Sequence, residues 1–239
     1  MHNLTPTPSK RSLLYFLASL QLCMVSFTSH AQSSGRLYDP EPPIDSGYLR
    51  VVIATPATAQ DIWIDGKPRI QKLSGQVLSE YMVLVEGKHT LSFQSAGTSI
   101  PVATFPLEIT RGKSITLAFP SLRSDTIPVH IEDKGNTNKL KVMLTAYHLA
   151  SKVGALDVNT ADGSAKVFNN LAYAQSASLQ VNPITVNLVA SPVGGTASLA
   201  KFPLEMAQGG TYSILLTTDA KGKLSAQTVL NRTERFTGK

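Results

Sequence analysis

The sequence predicts an all-β protein of two tandem β-sandwich domains following a cleaved signal peptide, and three observations carry that prediction. The first is an internal repeat. Phe105-Pro106-Leu107-Glu108 returns 97 residues later as Phe202-Pro203-Leu204-Glu205, and each copy is followed by a glycine, Gly112 or Gly209. The same 97 residues separate Asp65-Gly66 from Asp162-Gly163, while Leu49-x-Val51 stands 91 residues before Leu140-x-Val142. Landmarks kept in order with small length changes are what two copies of one domain leave behind. The second observation is a succession of short runs rich in Val, Ile, Thr and aromatic residues, separated by Gly, Pro, Asp and Ser, at the spacing of a sandwich or small barrel. The third is negative: no segment holds an apolar helical period over more than two turns.

The elements follow in order along the 239 residues, a length that allows one or two domains at about 100 to 200 residues each. Lys10 and Arg11 precede an uncharged apolar run over residues 13–27, and Ser29-His30-Ala31 then offers the small residues a signal peptidase reads, so residues 1–31 are expected to be a secretory signal. The run is shorter than the roughly 20 residues that span a bilayer, and no later segment is long or apolar enough, so the product is expected to be soluble rather than membrane-spanning. The one cysteine, Cys23, lies inside this signal, which leaves the exported chain without disulfides, and Leu22 before it speaks against a lipoprotein signal. Losing Lys10 and Arg11 lowers the net charge from +6 to +4, an excess too small to single out an acidic partner from an ordinary solvated surface.

Residues 32–47 read as an extended lead-in with Leu37-Tyr38-Asp39-Pro40 as its one anchor-like patch. The first sandwich is placed at 48–131, with β-rich runs at 48–54, 61–64, 77–85, 89–93, 101–109 and 114–119. Asp65-Gly66 is a hairpin signal, because a tight primed turn needs positive φ and this dipeptide supplies it. Residues 132–138 are the expected linker, and 139–220 the second sandwich, with runs at 139–147, 155–159, 164–168, 177–181, 184–190, 196–206 and 212–217. A last strand over 224–230 and a basic tail with Arg232, Arg235 and Lys239 complete residues 221–239. Pro106 and Pro203 cannot donate to a central ladder, so the repeated motif belongs at a strand start or a sheet edge.

Catalytic chemistry is hard to find. His89, His130 and His148 are scattered, with no paired metal-ligand spacing, so neither a metal nor another cofactor is expected. No Gly-x-Ser-x-Gly elbow occurs, and Asp162-Gly163-Ser164 reads as a turn. No glycine-rich loop opens a helix onto a phosphate, and no nucleic-acid partner is indicated. The candidate substrate-binding residues are therefore Trp63 and Tyr38, whose rings could stack on sugars, and Arg232 and Arg235, which could meet a polyuronate or a partner protein. Ordinary core packing and a solvated terminus compete with these roles.

The lead-in Leu37-Tyr38-Asp39-Pro40 with Pro42-Pro43, then Gly47-Tyr48-Leu49-Arg50-Val51, resembles the start of the mature AlgF family. Lys141-Val142, Thr160-Ala161-Asp162-Gly163 and Asn182-Pro183-Ile184-Thr185-Val186 continue the resemblance through the second half. It implies a periplasmic, non-catalytic accessory protein for O-acetylation of a secreted exopolysaccharide, alginate or a similar polymer such as cellulose. Its implied partners are periplasmic and membrane-bound polysaccharide O-acetyltransferases and the polymer itself. Two alternatives stay open on the residues: a stand-alone carbohydrate-binding protein, and an acetyl carrier or transferase with a serine nucleophile.

Overall fold

The computed structural model describes residues 41–236. The expected signal, most of the lead-in segment and Tyr38 lie outside them. The described residues form sixteen strands and no helix, and the strands divide into two halves of eight. In the first half these are β1 (Ser46–Ile53), β2 (Gln60–Ile64), β3 (Lys67–Leu73), β4 (Met82–Val85), β5 (Gly87–Ser95), β6 (Pro101–Ile109), β7 (Ser114–Phe119) and β8 (Val129–Glu132). The second half has β9 (Val142–His148), β10 (Leu156–Thr160), β11 (Lys166–Leu171), β12 (Ser176–Val181), β13 (Thr185–Pro192), β14 (Ala200–Glu205), β15 (Thr211–Thr218) and β16 (Leu224–Leu230).

Adding eight to a strand number in the first half gives its counterpart in the second. The sheets β4-β1-β7-β8 and β3-β2-β5-β6 reappear as β12-β9-β15-β16 and β11-β10-β13-β14. The pairs β1/β7 and β9/β15 are parallel, and every other pair of strands is antiparallel. The repeat reaches the register: Phe105 faces Leu91 in the first half, as Phe202 faces Leu188 in the second. Both motif strands, β6 and β14, are sheet edges, where a proline removes no ladder bond. One sequence landmark is displaced. Tyr48 pairs with Ser114 and Met143 with Thr211, so the first strands correspond at an offset of 95 rather than 91, and Leu140 lies exposed ahead of β9.

Alternation explains the layers. Along β6, Ala103, Phe105, Leu107 and Ile109 point inward while Val102, Thr104, Pro106 and Glu108 face out. The inward set packs with Phe93 and Phe119 into a ring cluster whose neighbouring centroids lie 4.8 to 6.1 Å apart. The second half builds the matching core from Phe168, Phe202, Leu204 and Ile214. Strands β1 and β9 do not alternate, since both their faces are covered. Leu49, Val51 and Ile53 enter the first core, whereas Val52 and Ala54 join Ala118, Ile131, Tyr147, Leu149 and Leu215 in a third cluster shared by the halves. The sheets β4-β1-β7-β8 and β12-β9-β15-β16 thus meet back to back.

Turn chemistry is repeated too. Asp65 and Gly66 both have positive φ, 51° and 73°, as a primed turn between β2 and β3 requires. Asp61 accepts the backbone N–H groups of Lys72 (2.8 Å) and Gly97 (3.2 Å), and Asp157 accepts those of Asn170 (2.8 Å) and Gly194 (3.3 Å). Lys72 and Asn170 are left-handed non-glycine residues, φ 57° and 49°, held in that conformation by these clamps. The Lys72 N–H, and after it the Gly97 N–H, lowers the Asp61 carboxyl below its usual range. Strand β3 was not expected from sequence. It is an edge strand in which Leu73 alone is fully buried, so it lacks the apolar alternation that announces a strand.

Candidate functional site: the seam between the two halves

A charged residue on a strand buried on both faces must find its partners inside. Arg50, at the centre of β1, is 1% exposed, and its guanidinium reaches across the seam. Nε donates to Thr116 Oγ1 at 2.8 Å, Nη1 to Asn231 Oδ1 at 2.7 Å, and Nη2 to Tyr147 Oη at 2.6 Å and Ser213 Oγ at 3.1 Å. The Tyr81 ring lies 4.4 Å from Arg50 Cζ, within cation–π range. Asp133, immediately after β8, provides the counter-charge with Oδ2 3.7 Å from Arg50 Nε. The same carboxylate accepts from Tyr81 Oη (2.7 Å), Tyr147 Oη (2.5 Å) and Thr116 Oγ1 (2.6 Å). Burial is the chief cause that raises both phenols above their usual range, and the Asp133 charge raises them further against the opposing Arg50 charge. Both therefore remain donors at any physiological pH.

The network straddles the repeat. Thr116 and Ser213, 97 residues apart, each accept from Arg50 and each donate onward, to Asp133 and Asn231 respectively. Two donors converge on Asn231 Oδ1, which fixes the orientation of that amide.

Beside this network lies a cleft of about 400 Å³, and its walls again come in equivalent pairs. Ser114 and Thr211, the residues that open β7 and β15, both line it. Asp133 and Asn231 follow, and then Lys134 and Arg232, both exposed at the rim. Tyr48 and Tyr81 provide the aromatic wall. The segment carrying Arg232 is a strap from the end of β16 onto the free edge of β4. Tyr81 N donates to Arg232 O and Glu234 N donates to Tyr81 O, both at 2.8 Å. The Glu234 carboxylate accepts from Val83 N at 2.8 Å and pairs with Arg69.

The residues singled out from sequence are scattered over this frame. Arg232 rims the cleft, and Arg235 lies three residues further along the strap. Trp63 is elsewhere, half-buried on the outward face of β2 between Pro68 and Ser92, and its indole N–H has no partner among the described residues. Its counterpart is Asn159, so the repeat does not keep the ring. The histidines have structural surroundings. His148 is buried, which lowers its pKa against the opposing Gly154 carbonyl, and it bonds Gly154 O at 2.9 Å. His89 sits between Asp65 Oδ2 (2.6 Å) and Val85 O (2.8 Å). Among the described residues no group of three or more His, Cys, Asp or Glu could hold a metal ion, and no helix is long and apolar enough to cross a membrane. Sequence reasoning missed Arg50, Asp133, Tyr81 and Tyr147 as a group. The available signal was an arginine inside an unbroken apolar strand.

Residues 47–159 match the family described as Domain of unknown function (DUF4397). The chain is 29% identical over 167 residues to the alginate biosynthesis protein AlgF of Pseudomonas putida, an alignment covering 70% of this chain and 71% of that one. Among solved structures it is similar to the C-terminal domain of AlgF from P. aeruginosa, with 24% identity and a TM-score of 0.34, covering 39% of this chain and 100% of that one. It is also similar to a family 26 carbohydrate-binding module of Eubacterium rectale solved with maltoheptaose, with 13% identity and a TM-score of 0.26, covering 79% of this chain and 97% of that one.

Proposed function

This chain is a homologue of the alginate biosynthesis protein AlgF, and from that premise we propose that it is a non-catalytic accessory protein in the O-acetylation of a secreted exopolysaccharide. The observation that carries the proposal is the alignment with AlgF over about seven-tenths of both chains. In this reading residues 1–31 direct export, the protein works in the periplasm, and the units at 48–131 and 139–220 form a scaffold that docks periplasmic and membrane-bound acetyltransferases. Trp63, Arg232 and Arg235 are the residues assigned to contact with polymer or partner.

The geometry is suited to a scaffold. Arg50 ties the two halves together from a buried position, so an enzyme docked on one half keeps a fixed relation to whatever the other half holds. The histidines with resolved partners are engaged with backbone carbonyls and a turn carboxylate rather than with a serine nucleophile.

The deciding experiment measures ester-linked acetate and total polymer in exopolysaccharide from a strain lacking this chain. Loss of acetate at normal yield is the expected result, and retained acetylation rejects the proposal. A pull-down of the exported protein against each co-encoded acetyltransferase tests the docking step, which fails if none is retained.

A further inference from the structure

We propose that the seam cleft is a binding site for a uronic acid residue of an anionic polysaccharide, gripped by Lys134 and Arg232. The inference rests on the accessory reading above and names the ligand class that the site takes.

The cleft volume of about 400 Å³ lies within the range of small-ligand sites, roughly 300 to 1,000 Å³. Lys134 and Arg232 line it from corresponding positions, one residue after Asp133 and Asn231, so the repeat brings two cations to one cleft. Neither forms an ion pair among the described residues. Arg50, the third cation nearby, is already neutralised by Asp133, so the rim charges have no buried carboxylate left to answer them. An anion from outside completes the set. The surrounding groups are those that hold a sugar ring: the hydroxyls of Ser114 and Thr211, and the partly exposed ring of Tyr48, which offers an apolar face. A carboxylate on a pyranose uses both parts, as a bidentate acceptor for Arg232 and a ring for the tyrosine wall.

An acidic peptide fits less well. Extended peptides gain affinity by adding to a free sheet edge, and here the β4 edge is occupied by the strap through Tyr81 N to Arg232 O and Glu234 N to Tyr81 O.

The test titrates the exported protein at low ionic strength with a β-1,4-linked mannuronate hexamer, with cellohexaose as the neutral control and hexaglutamate as the acidic-peptide control. Saturable binding of the hexauronate alone is expected. It should weaken at least about ten-fold in the Lys134→Gln, Arg232→Gln double variant, because two charge-assisted contacts are lost, and it should weaken with added salt. Both side chains are exposed, and the Arg232 carbonyl that holds the strap is retained in the variant. No hexauronate binding, equal binding of hexaglutamate, or undiminished binding by the double variant overturns the proposal. Acetate content in the deletion strain keeps the two readings apart: if deletion abolishes acetylation and hexauronate still fails to bind, the site assignment alone falls.

Discussion

Asp133 and Asn231 occupy the same place in the two halves, yet one is a carboxylate and the other an amide. Asp133 N donates to Ser114 O and Asn231 N to Thr211 O, both at 2.8 Å, each just beyond the last strand of its half. The difference follows from a second broken equivalence. Arg50 pairs in register with Thr116, and its counterpart Thr145 pairs with Ser213, so the seam contains one guanidinium and has use for one carboxylate. A repeat that kept both residues in both halves would bury two such pairs where the sheets meet. The sequence instead concentrates the charge in the first half and completes the second with neutral hydrogen-bonding groups.

That arrangement predicts strong coupling between Arg50 and Asp133. Removing either member leaves the other charge buried, so Arg50→Met and Asp133→Asn should each lower stability by about 3 to 5 kcal/mol in urea unfolding. The double variant should be less destabilised than the sum of the two, with a coupling of about 0.5 to 3 kcal/mol. Additive losses would show that the two charges stabilise the seam independently.

The strap predicts a smaller, local effect. Glu234→Ala removes the acceptor for Val83 N and the ion pair with Arg69, both partly buried, and should cost about 1 to 2 kcal/mol. Amide exchange at Val83 should accelerate in this variant while the β15–β16 ladder remains protected, a pattern that global destabilisation would not produce.

Much of this fold could be read from local pattern, and the seam could not, for a physical reason. The Phe-Pro-Leu-Glu motif announces β6 and β14 because alternate residues face core and solvent and the proline marks an edge. Arg50 announces nothing local: the side chains its guanidinium donates to lie 66, 97, 163 and 181 residues away, and no window of sequence contains the network. In the sequence the strap looks like a basic tail, since backbone hydrogen bonds to an edge strand leave no side-chain signature. Arg232 was found for its charge. Lys134, its counterpart, falls in a stretch with the composition of a linker, and the equivalence of the two positions emerges only once β8 and β16 are in register with β7 and β15.

Acid should release a turn in the second half. The Asp162 carboxyl is held down to about 2, first by the Thr160 hydroxyl and then by the N–H and hydroxyl of Ser164, at 3.0 and 2.8 Å. The folded value lies below the ordinary one of 3.8, so its contribution is complete above that pH and disappears as pH falls toward 2. An NMR titration should place the Asp162 midpoint below that of an exposed aspartate, and Ser164→Ala should move it upward. An unshifted midpoint in the parent protein would mean the turn does not hold the carboxylate in solution.

Restoring the symmetry of the seam should make its stability depend on pH. Asn231→Asp places a second carboxylate on Arg50 Nη1 and Ser213 Oγ, inside a network whose one guanidinium already answers Asp133. Burial and the neighbouring like charge both raise the folded pKa of such a group, against the opposing charge of Arg50, which Asp133 already shares. At neutral pH the variant should therefore be less stable than the parent, because a buried charge must be kept ionised or must take up a proton. As pH falls through the raised pKa the deficit shrinks, since the folded state binds the proton before the unfolded chain does. Urea midpoints for parent and variant should converge on acidification from pH 7 toward 5, and a constant gap would show that the added carboxylate escapes the network to solvent.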